Sequence, residues 1–351
     1  MSRGKATIAS PLRGAVIGFG NVAVHGHLPV WQEYSQFRID AVVEPLEERS
    51  RLARTLLPEA RIYADSNALF EETDLDFVDI CTPPCFHTDL IKRACLSGMH
   101  VFCEKPLVAS ANDLRSIHQT AHAQDRVIFI VNNWKYAPIW MKAADLIREN
   151  RIGSVRTVSL SVLRTPNSGG GISNWRQCAP IAGGGILLDH GWHNLYLILS
   201  VIRDIPVSIS ARMSYVQTDH TGLEDTVDLQ IRFRNAEARL HLTWRAALRQ
   251  NHGSITGEFG TLFINDDHLI LHPDDETSPI RYDFEEPLSG GSHHRQWMGP
   301  VVENFYREVT DSHERGINFS EAVWCACLTD LAYRSHRNGA CFLRIEDPLQ
   351  S

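Results

Sequence analysis

The chain has 351 residues, of which 43% are hydrophobic and 22% are charged. A chain of this length is longer than one typical domain, so we predict two domains, and the composition excludes a disordered protein. A formal charge of -8 and the lack of a basic run argue against a nucleic-acid or anionic-membrane partner, so we expect a small-molecule ligand.

Three further features bear on the compartment and on metals. No apolar segment of secretory length follows the N-terminus, and no later segment approaches a membrane span. The 8 cysteines lie in apolar runs without C-x-x-C spacing, which is typical of buried thiols in a reducing compartment. The 17 histidines lack the spacing of metal ligands. We therefore predict a cytoplasmic protein without a bound metal.

In the first part of the chain, short apolar runs alternate with helix-length amphipathic stretches. The predicted strands are 15–18, 39–43, 77–81, 101–103 and 127–131. Such alternation is typical of parallel β-α-β units, with helices on both faces of one twisted sheet. Ligands bind these sheets at the carboxyl ends of the strands, where Gly18, Glu44, Thr82 and Lys105 all fall.

After Pro138 the pattern changes to many strands in succession. A helix over 139–150 precedes β-type runs, and two helices close the chain; these segments are 155–163, 207–216, 226–233, 238–244, 297–312 and 320–335. They predict an α+β domain with a large mixed or antiparallel sheet that could face water or a partner subunit. Glycine-serine clusters at 168–171 and 289–292 are interpreted as mobile loops near a cleft.

A glycine loop ends the first strand and opens a helix. It comprises Gly18, Phe19, Gly20, Asn21 and Val22, with Ala23 where the third glycine of G-x-G-x-x-G usually falls. In this context glycines let backbone amides approach a pyrophosphate, although any strand-to-helix turn can use glycine. The pattern indicates a Rossmann, doubly wound α/β domain over 1–132, followed by a substrate-binding and oligomerisation domain over 133–351.

Glu44 ends the second strand, at the distance from the loop where an acid accepts hydrogen bonds from adenosine ribose hydroxyls. Its carboxylate would repel a 2′-phosphate, which favours NAD over NADP. An N-cap or a solvated glutamate is an equally good interpretation of Glu44 taken alone. Arg49, one turn into the next helix, could offset the repulsion, so NADP stays open as a cofactor.

Glu104, Lys105 and Pro106 stand directly behind a short apolar run. Proline cannot continue the ladder and fixes its own φ, so the loop is stiff and the ammonium of Lys105 is aimed. A lysine partly desolvated in a cleft can donate a proton or polarise an oxygen near neutral pH. The alternative is a solvated loop lysine beside a glutamate.

A second polar cluster follows the glycine turn at 183–185. Asp189 and His193 are four residues apart in an apolar helix, so we expect them to share a helix face. A carboxylate beside an imidazole orients the ring and raises its pKa, as an acid/base pair requires. In isolation, such a pair is more often an ordinary helix-surface interaction.

Together these motifs resemble those of the Gfo/Idh/MocA oxidoreductase family, which includes glucose-fructose oxidoreductase and inositol dehydrogenase. The resemblance extends over nearly the whole chain, through residues 18–23, 27–29, 82–87, 98–101, 104–106, 136–138, 152–153, 175–176 and 183–193. It implies that Lys105 is the general acid/base or oxygen-polarising residue, and that Asp189 and His193 hold and deprotonate the reacting hydroxyl. A hydride would pass between the substrate and NAD.

The resemblance also implies the remaining contacts. Cofactor contacts are implied for Thr82, Pro83, His87, Glu104 and Lys105, and substrate contacts for Lys135, Tyr136, Trp175, Arg176, Asp189 and His193. Two positions depart from the family: Tyr196 stands where relatives often place an aspartate, and Lys135 replaces a common arginine. Lysine lacks the planar fork that holds vicinal oxygens, which leaves the substrate open.

The sequence thus predicts an NAD(P)-dependent oxidoreductase acting on a secondary alcohol or ketone of a sugar, cyclitol or sugar derivative, as a homodimer or homotetramer. One alternative is an NAD-dependent glycosidase that works by transient oxidation and elimination. Another is a non-catalytic nucleotide- or sugar-sensing regulator on the same fold. Joint retention of Lys105, Asp189 and His193 argues against the regulator.

Overall fold

A computed structural model describes residues 10–72, 74–108, 113–166, 175–215, 222–274, 278–291 and 293–348. The glycine-serine cluster predicted at 168–171 lies outside these ranges. So do the last residues of two other predicted segments, Val216 and Ser292.

Six parallel strands form the first sheet, in the order β3-β2-β1-β4-β5-β6. The strands are β1 (Leu12–Ile17), β2 (Phe37–Val43), β3 (Arg61–Tyr63), β4 (Phe77–Ile80), β5 (His100–Cys103) and β6 (Ile128–Ile130). Every residue of β4, β5 and β6 is buried, as expected where helices cover both faces. The strand order reverses between β1 and β4, and a crevice opens at their carboxyl ends. The predicted Rossmann sheet is confirmed.

Helices connect these strands and cover both faces of the sheet. They are α1 (Leu28–Glu33), α2 (Glu47–Leu56), α3 (Ser66–Glu72), α4 (His87–Leu96) and α5 (Leu114–Ala123). A π-helical turn, Ala23–His27, leads into α1 and places His27 in the interior. Among the helices that the structure describes, none is both long and apolar enough to cross a membrane.

Nine strands form the second sheet, in the order β14-β13-β12-β11-β7-β10-β9-β8-β15. They are β7 (Thr157–Leu163), β8 (Pro206–Tyr215), β9 (Glu224–Phe233), β10 (Glu237–Thr243), β11 (Gln250–Thr256), β12 (Gly260–Asn265), β13 (His268–Pro273), β14 (Ile280–Asp283) and β15 (Leu343–Arg344). Only β7 and β10 pair in parallel, which confirms the predicted mixed sheet. Along β7, buried Val158, Leu160 and Val162 alternate with partly exposed residues.

The apolar face of the second sheet is covered by helices. These are α6 (Pro138–Arg148), α8 (Trp192–Ile202) and α10 (Ile317–Arg337), whereas the short α7 (Ala179–Ala182) packs against the turns at 84–86 and 175–177. Nine of the eleven residues of α8 are buried, which explains why its sequence is apolar all round. A second π-helical turn, Leu187–Gly191, feeds directly into α8.

One late helix, α9 (Gly299–Thr310), packs on the first sheet. Phe305 of α9 is fully buried, and its ring centroid lies 5.3 Å from Phe102, 5.6 Å from Phe77 and 5.7 Å from Phe129. Burial of such a ring stabilises the fold by about 1.5–3 kcal/mol. The division at residue 132 stays a prediction, and the core of the first sheet includes a helix from beyond it.

Candidate active site

The glycine loop after β1 is shaped by its neighbours. Gly18 has a φ of +89°, in the left-handed region that favours glycine. A Cβ there would lie 3.1 Å from Cγ2 of Thr82, and one on Gly20 would lie 2.7 Å from Nη1 of Arg49. The loop, the end of β4 and the guanidinium of Arg49 therefore meet at one place.

Glu44 holds this loop against the start of α2. Its Oε2 accepts a hydrogen bond from the Phe19 amide at 2.7 Å, and its Oε1 accepts one from the Leu46 amide at 2.9 Å. The residue is only 5% exposed. Each carboxylate oxygen has further lone-pair capacity, so the predicted ribose contact would add to a structural role.

Thr82 and the two glycines provide the test of whether a dinucleotide fits. The Thr82 hydroxyl is buried and makes no hydrogen bond within the described residues, although it lies beside Gly18 at the reversal of strand order. Buried hydroxyls are normally paired, so this one is suited to a ligand oxygen. These features fit a dinucleotide, which Gly18, Gly20 and Thr82 would contact.

His87 was predicted to line the cofactor cleft, but its contacts are with the backbone. Its side chain is fully buried, and Nδ1 and Nε2 each lie 2.9 Å from a carbonyl oxygen, those of Pro106 and Thr82. Burial lowers its pKa below 6.5. The ring joins the turn after β4 to the loop that carries Lys105, and it supports the crevice from behind.

Beneath Lys105 lies a buried network that the sequence did not predict. His27 Nδ1 is 3.0 Å from both carboxylate oxygens of Asp79, and Nε2 is 3.1 Å from Oε1 of Glu104. Trp31 Nε1 donates to Asp79 at 2.7 Å. Burial opposes a charged imidazole, but Asp79 overcomes it and raises the pKa of His27 well above 6.5.

Glu104 is the member of this network next to Lys105. Burial favours its neutral form, yet the hydrogen bond and charge of His27, and then Lys105, lower its pKa. Its Oε2 also accepts a hydrogen bond from the Lys105 amide at 3.2 Å. A carboxylate between an imidazolium and the lysine backbone fixes the loop at the end of β5.

Lys105 and Asp189 meet across the crevice, as the sequence predicted for a shared site. Lys105 Nζ donates to the Asp189 carbonyl oxygen at 2.7 Å and lies 3.4 Å from Oδ1. Arg176 Nε lies 3.8 Å from the same Oδ1, and its guanidinium lies 4.5 Å from the ring centroid of Trp175. Four of the predicted residues therefore form one cluster.

The Asp189 carboxylate is ionised in this cluster. Burial opposes its ionisation, but His190, Lys105 and Arg176 overcome that effect and lower its pKa below the usual range. His190 Nε2 is 3.6 Å from Oδ2, while burial lowers the pKa of His190 to about 3. At neutral pH, Lys105 and Arg176 are thus the cations that face Asp189.

A buried glutamate places the segment that carries Asp189. Glu224 accepts hydrogen bonds from the amides of Gly185 at 2.9 Å and Leu187 at 3.0 Å, which caps the π-helical turn at 187–191. The Tyr333 hydroxyl donates to the same carboxylate at 2.8 Å. A Cβ on Gly185 would lie 2.1 Å from the Glu224 carbonyl oxygen, so this approach requires glycine.

His193 lies beyond this turn, and the expectation that a neighbouring carboxylate raises its pKa is wrong. The turn at 187–191 is π-helical, and Asp189 contacts Lys105 and His190 instead of forming a hydrogen bond to His193. The pKa of His193 is lowered well below 6.5 because burial and then Lys105 outweigh the Asp189 carboxylate. The ring stacks on Trp134, with centroids 4.8 Å apart.

Lys135 and Tyr136, predicted to bind substrate, are directed to the C-terminal helices. Lys135 Nζ forms an ion pair with Glu321 of α10 at 2.9 Å, and the Tyr136 hydroxyl accepts a hydrogen bond from Asn304 of α9. Neither contact involves the cluster around Lys105. Both residues tie the segment before α6 to α9 and α10.

The site combines loop glycines, an acid after β2, a lysine after β5 and an acid on an apolar helix. These features define an NAD-binding oxidoreductase of Rossmann type. Residues 12–132 match the model of the oxidoreductase family with an NAD-binding Rossmann fold, and residues 140–263 match the GFO/IDH/MocA C-terminal domain. Since these matches cover most of the chain, it belongs to the GFO/IDH/MocA family.

Individual relatives are distant. An uncharacterised protein of Saccharomyces cerevisiae is 27% identical over 271 residues, which are 73% of this chain and 74% of that protein. The D-glucoside 3-dehydrogenase of Escherichia coli is 25% identical over 199 residues, 56% of each chain. An Agrobacterium radiobacter oxidoreductase in complex with NAD+, L-tartaric acid and magnesium superimposes with a TM-score of 0.82 at 19% identity, covering 95% of this chain and 98% of that one.

Proposed function

We propose that this protein is an NAD-dependent oxidoreductase that transfers a hydride between the nicotinamide and a secondary alcohol or ketone of a sugar, cyclitol or sugar derivative. The contact of Lys105 with Asp189 beside the glycine-loop crevice carries the proposal. The match to D-glucoside 3-dehydrogenase supports a sugar as the substrate. We expect a homodimer or homotetramer, which light scattering would detect.

The side chains of the site have separate roles in the reaction. When bound, the nicotinamide cofactor would supply the redox chemistry, with NAD⁺ as hydride acceptor for oxidation and NADH as hydride donor for reduction. The Lys105 ammonium can give a proton to the substrate oxygen in the reductive direction, and neutral Lys105 can take it back in oxidation. Asp189 holds Lys105 near the reacting oxygen, while Arg176 and Trp175 lie at the more exposed side of the cluster.

The experiment is a screen of sugars and polyols with the purified chain and NAD, read at the absorbance of the reduced nicotinamide. Lys105→Met keeps the length of the side chain and removes its charge, so turnover should fall by a factor on the order of 10² to 10⁴ while NAD still binds. Lys142→Met, which alters a lysine of α6 packed over Tyr282, is the matched control.

Three results would contradict the proposal. Near-normal turnover in Lys105→Met would remove this lysine from the chemistry. Hydrolysis of glycosides with tightly retained cofactor and no net NADH would instead indicate the glycosidase alternative, and binding of NAD without turnover of any polyol would indicate a sensor.

A further inference from the structure

The hydroxyl of Tyr196 occupies a buried position next to the candidate active-site histidine. Tyr196 lies on α8, three residues after His193, and its side chain is 0% exposed. Its oxygen is 2.9 Å from the backbone nitrogen of Trp134 and 2.8 Å from Nδ1 of His193. These two atoms are its hydrogen-bond partners among the residues that the structure describes.

The Trp134 amide settles the direction of one of these bonds. A backbone N–H can only donate, so the Tyr196 oxygen accepts from Trp134. The phenolic proton then needs an acceptor of its own, because an unsatisfied buried hydroxyl is costly. Within the described ranges, the remaining partner is Nδ1 of His193.

The two directions of the Tyr196–His193 hydrogen bond therefore differ in cost. If the hydroxyl donates, Nδ1 is the acceptor, both of these atoms are satisfied and the ring proton sits on Nε2. If Nδ1–H donates instead, the oxygen accepts twice and the phenolic proton has no partner. A doubly protonated ring is disfavoured because His193 is buried and, after burial, the charge of Lys105 outweighs that of Asp189. The other titratable groups that face the ring are His190 and His294.

We propose that Tyr196 fixes His193 as the neutral tautomer with its proton on Nε2, so that His193 donates a hydrogen bond to the substrate oxygen and Lys105 alone exchanges the proton. The second half of this inference rests on the proposed function, whereas the tautomer does not. Nε2 makes no hydrogen bond within the described residues, so its proton is available to a ligand.

The proton balance supports this division of roles. An Nε2 that already bears a proton has no free lone pair, so it cannot accept the hydroxyl proton, and the one free lone pair of the ring, on Nδ1, already accepts from Tyr196. If Nε2–H gave its proton to the substrate, Tyr196 would have to release its own, and burial raises the pKa of that hydroxyl well above 10. His193 thus polarises and positions the oxygen, which makes it a hydrogen-bond donor and not the base.

The tautomer can be read directly by long-range ¹H–¹⁵N NMR of the full chain labelled with ¹⁵N-histidine, with His193 assigned from its absence in His193→Gln. The expected spectrum has a proton-bearing Nε2 and an unprotonated, hydrogen-bonded Nδ1. Tyr196→Phe removes the hydrogen-bond donor to His193, so the Nδ1 resonance of His193 should move downfield in this variant. Tyr282→Phe, on β14, should leave the His193 signals in place.

Kinetics test the role of the donor. The amide of glutamine can place an N–H near Nε2, so His193→Gln should lower kcat by about tenfold or less, and His193→Ala by about 10²–10³, as for loss of one donor to a developing charge. If His193 were the base, the kcat of both variants would fall by the same factor.

A proton on Nδ1 in the wild-type spectrum, or no Nδ1 shift in Tyr196→Phe, would overturn the tautomer. Glutamine no better than alanine would overturn the donor role. Failure of the proposed function would appear separately, as wild-type protein that turns over no polyol, and the NMR spectrum would still decide the tautomer.

Discussion

Replacing His27 tests the buried network that supports Lys105. His27→Leu places an apolar side chain of similar size in the pocket. It removes the hydrogen bonds of the imidazole to Asp79, at 3.0 Å, and to Glu104, at 3.1 Å. His27 is 1% exposed and Asp79 is 0% exposed, so the Asp79 carboxylate would stay buried without its cation. Removal of one partner of a buried ion pair costs about 3–5 kcal/mol.

That cost translates into a measurable melting shift. An unfolding entropy of about 2.1 cal/mol/K per residue, over the 351 residues of the chain, makes the shift about 4–7 °C if the chain unfolds as one unit. Differential scanning calorimetry at pH 6.5 measures it. His241→Leu removes a comparable but exposed pair with Asp228, 2.7 Å apart, and should shift the midpoint by about 1 °C or less.

The pH dependence gives a second readout with a definite sign. The folded-state pKa of His27 is raised above 6.5, so its stabilising contribution is complete below about pH 6.5 and is lost as pH rises through the folded-state pKa. The difference in melting temperature between wild type and His27→Leu should therefore shrink from pH 6 towards pH 9. Equal shifts for the His27 and His241 variants, or a pH-independent difference, would refute a charged His27.

Three further outcomes are expected. Glu44→Ser should raise the affinity for NADP relative to NAD in calorimetry, and tighter NADP binding by the unmodified chain would show that Arg49 outweighs Glu44. Gly185→Ala should destabilise the chain by about 1–3 kcal/mol in urea unfolding, because its Cβ has no room beside Glu224. Between pH 7 and 5.5, wild type and His193→Gln should show parallel kcat profiles, since burial keeps His193 neutral; an acid limb that the variant lacks would contradict this.

Much of the first sheet could be predicted because its signal is local. Buried parallel strands are short apolar runs, and their carboxyl ends converge, so Gly18, Glu44, Thr82 and Lys105 could be placed together without coordinates. β3 escaped prediction because it is three residues long and partly exposed, which leaves no periodic pattern.

The rest of the site depends on contacts between residues far apart in sequence. The pairing of Lys135 with Glu321 joins positions 186 apart, and that of Tyr333 with Glu224 joins positions 109 apart. No local periodicity relates such pairs. The expected rise in the pKa of His193 was wrong for a related reason: burial of the ring and the approach of Lys105 outweigh Asp189, and both depend on tertiary packing that a spacing of four does not show.

The return of α9 to the first sheet has a consequence during synthesis on the ribosome. α9 ends at Thr310, about 180 residues after β6, so at about 5–20 residues per second it emerges about 10–35 s later. Throughout that interval the nascent sheet lacks Phe305, and the aromatic face formed by Trp31, Phe77 and Phe102 is uncovered. Until translation is nearly complete, the nascent N-terminal half thus exposes an apolar aromatic surface of the kind that makes incomplete chains prone to aggregate.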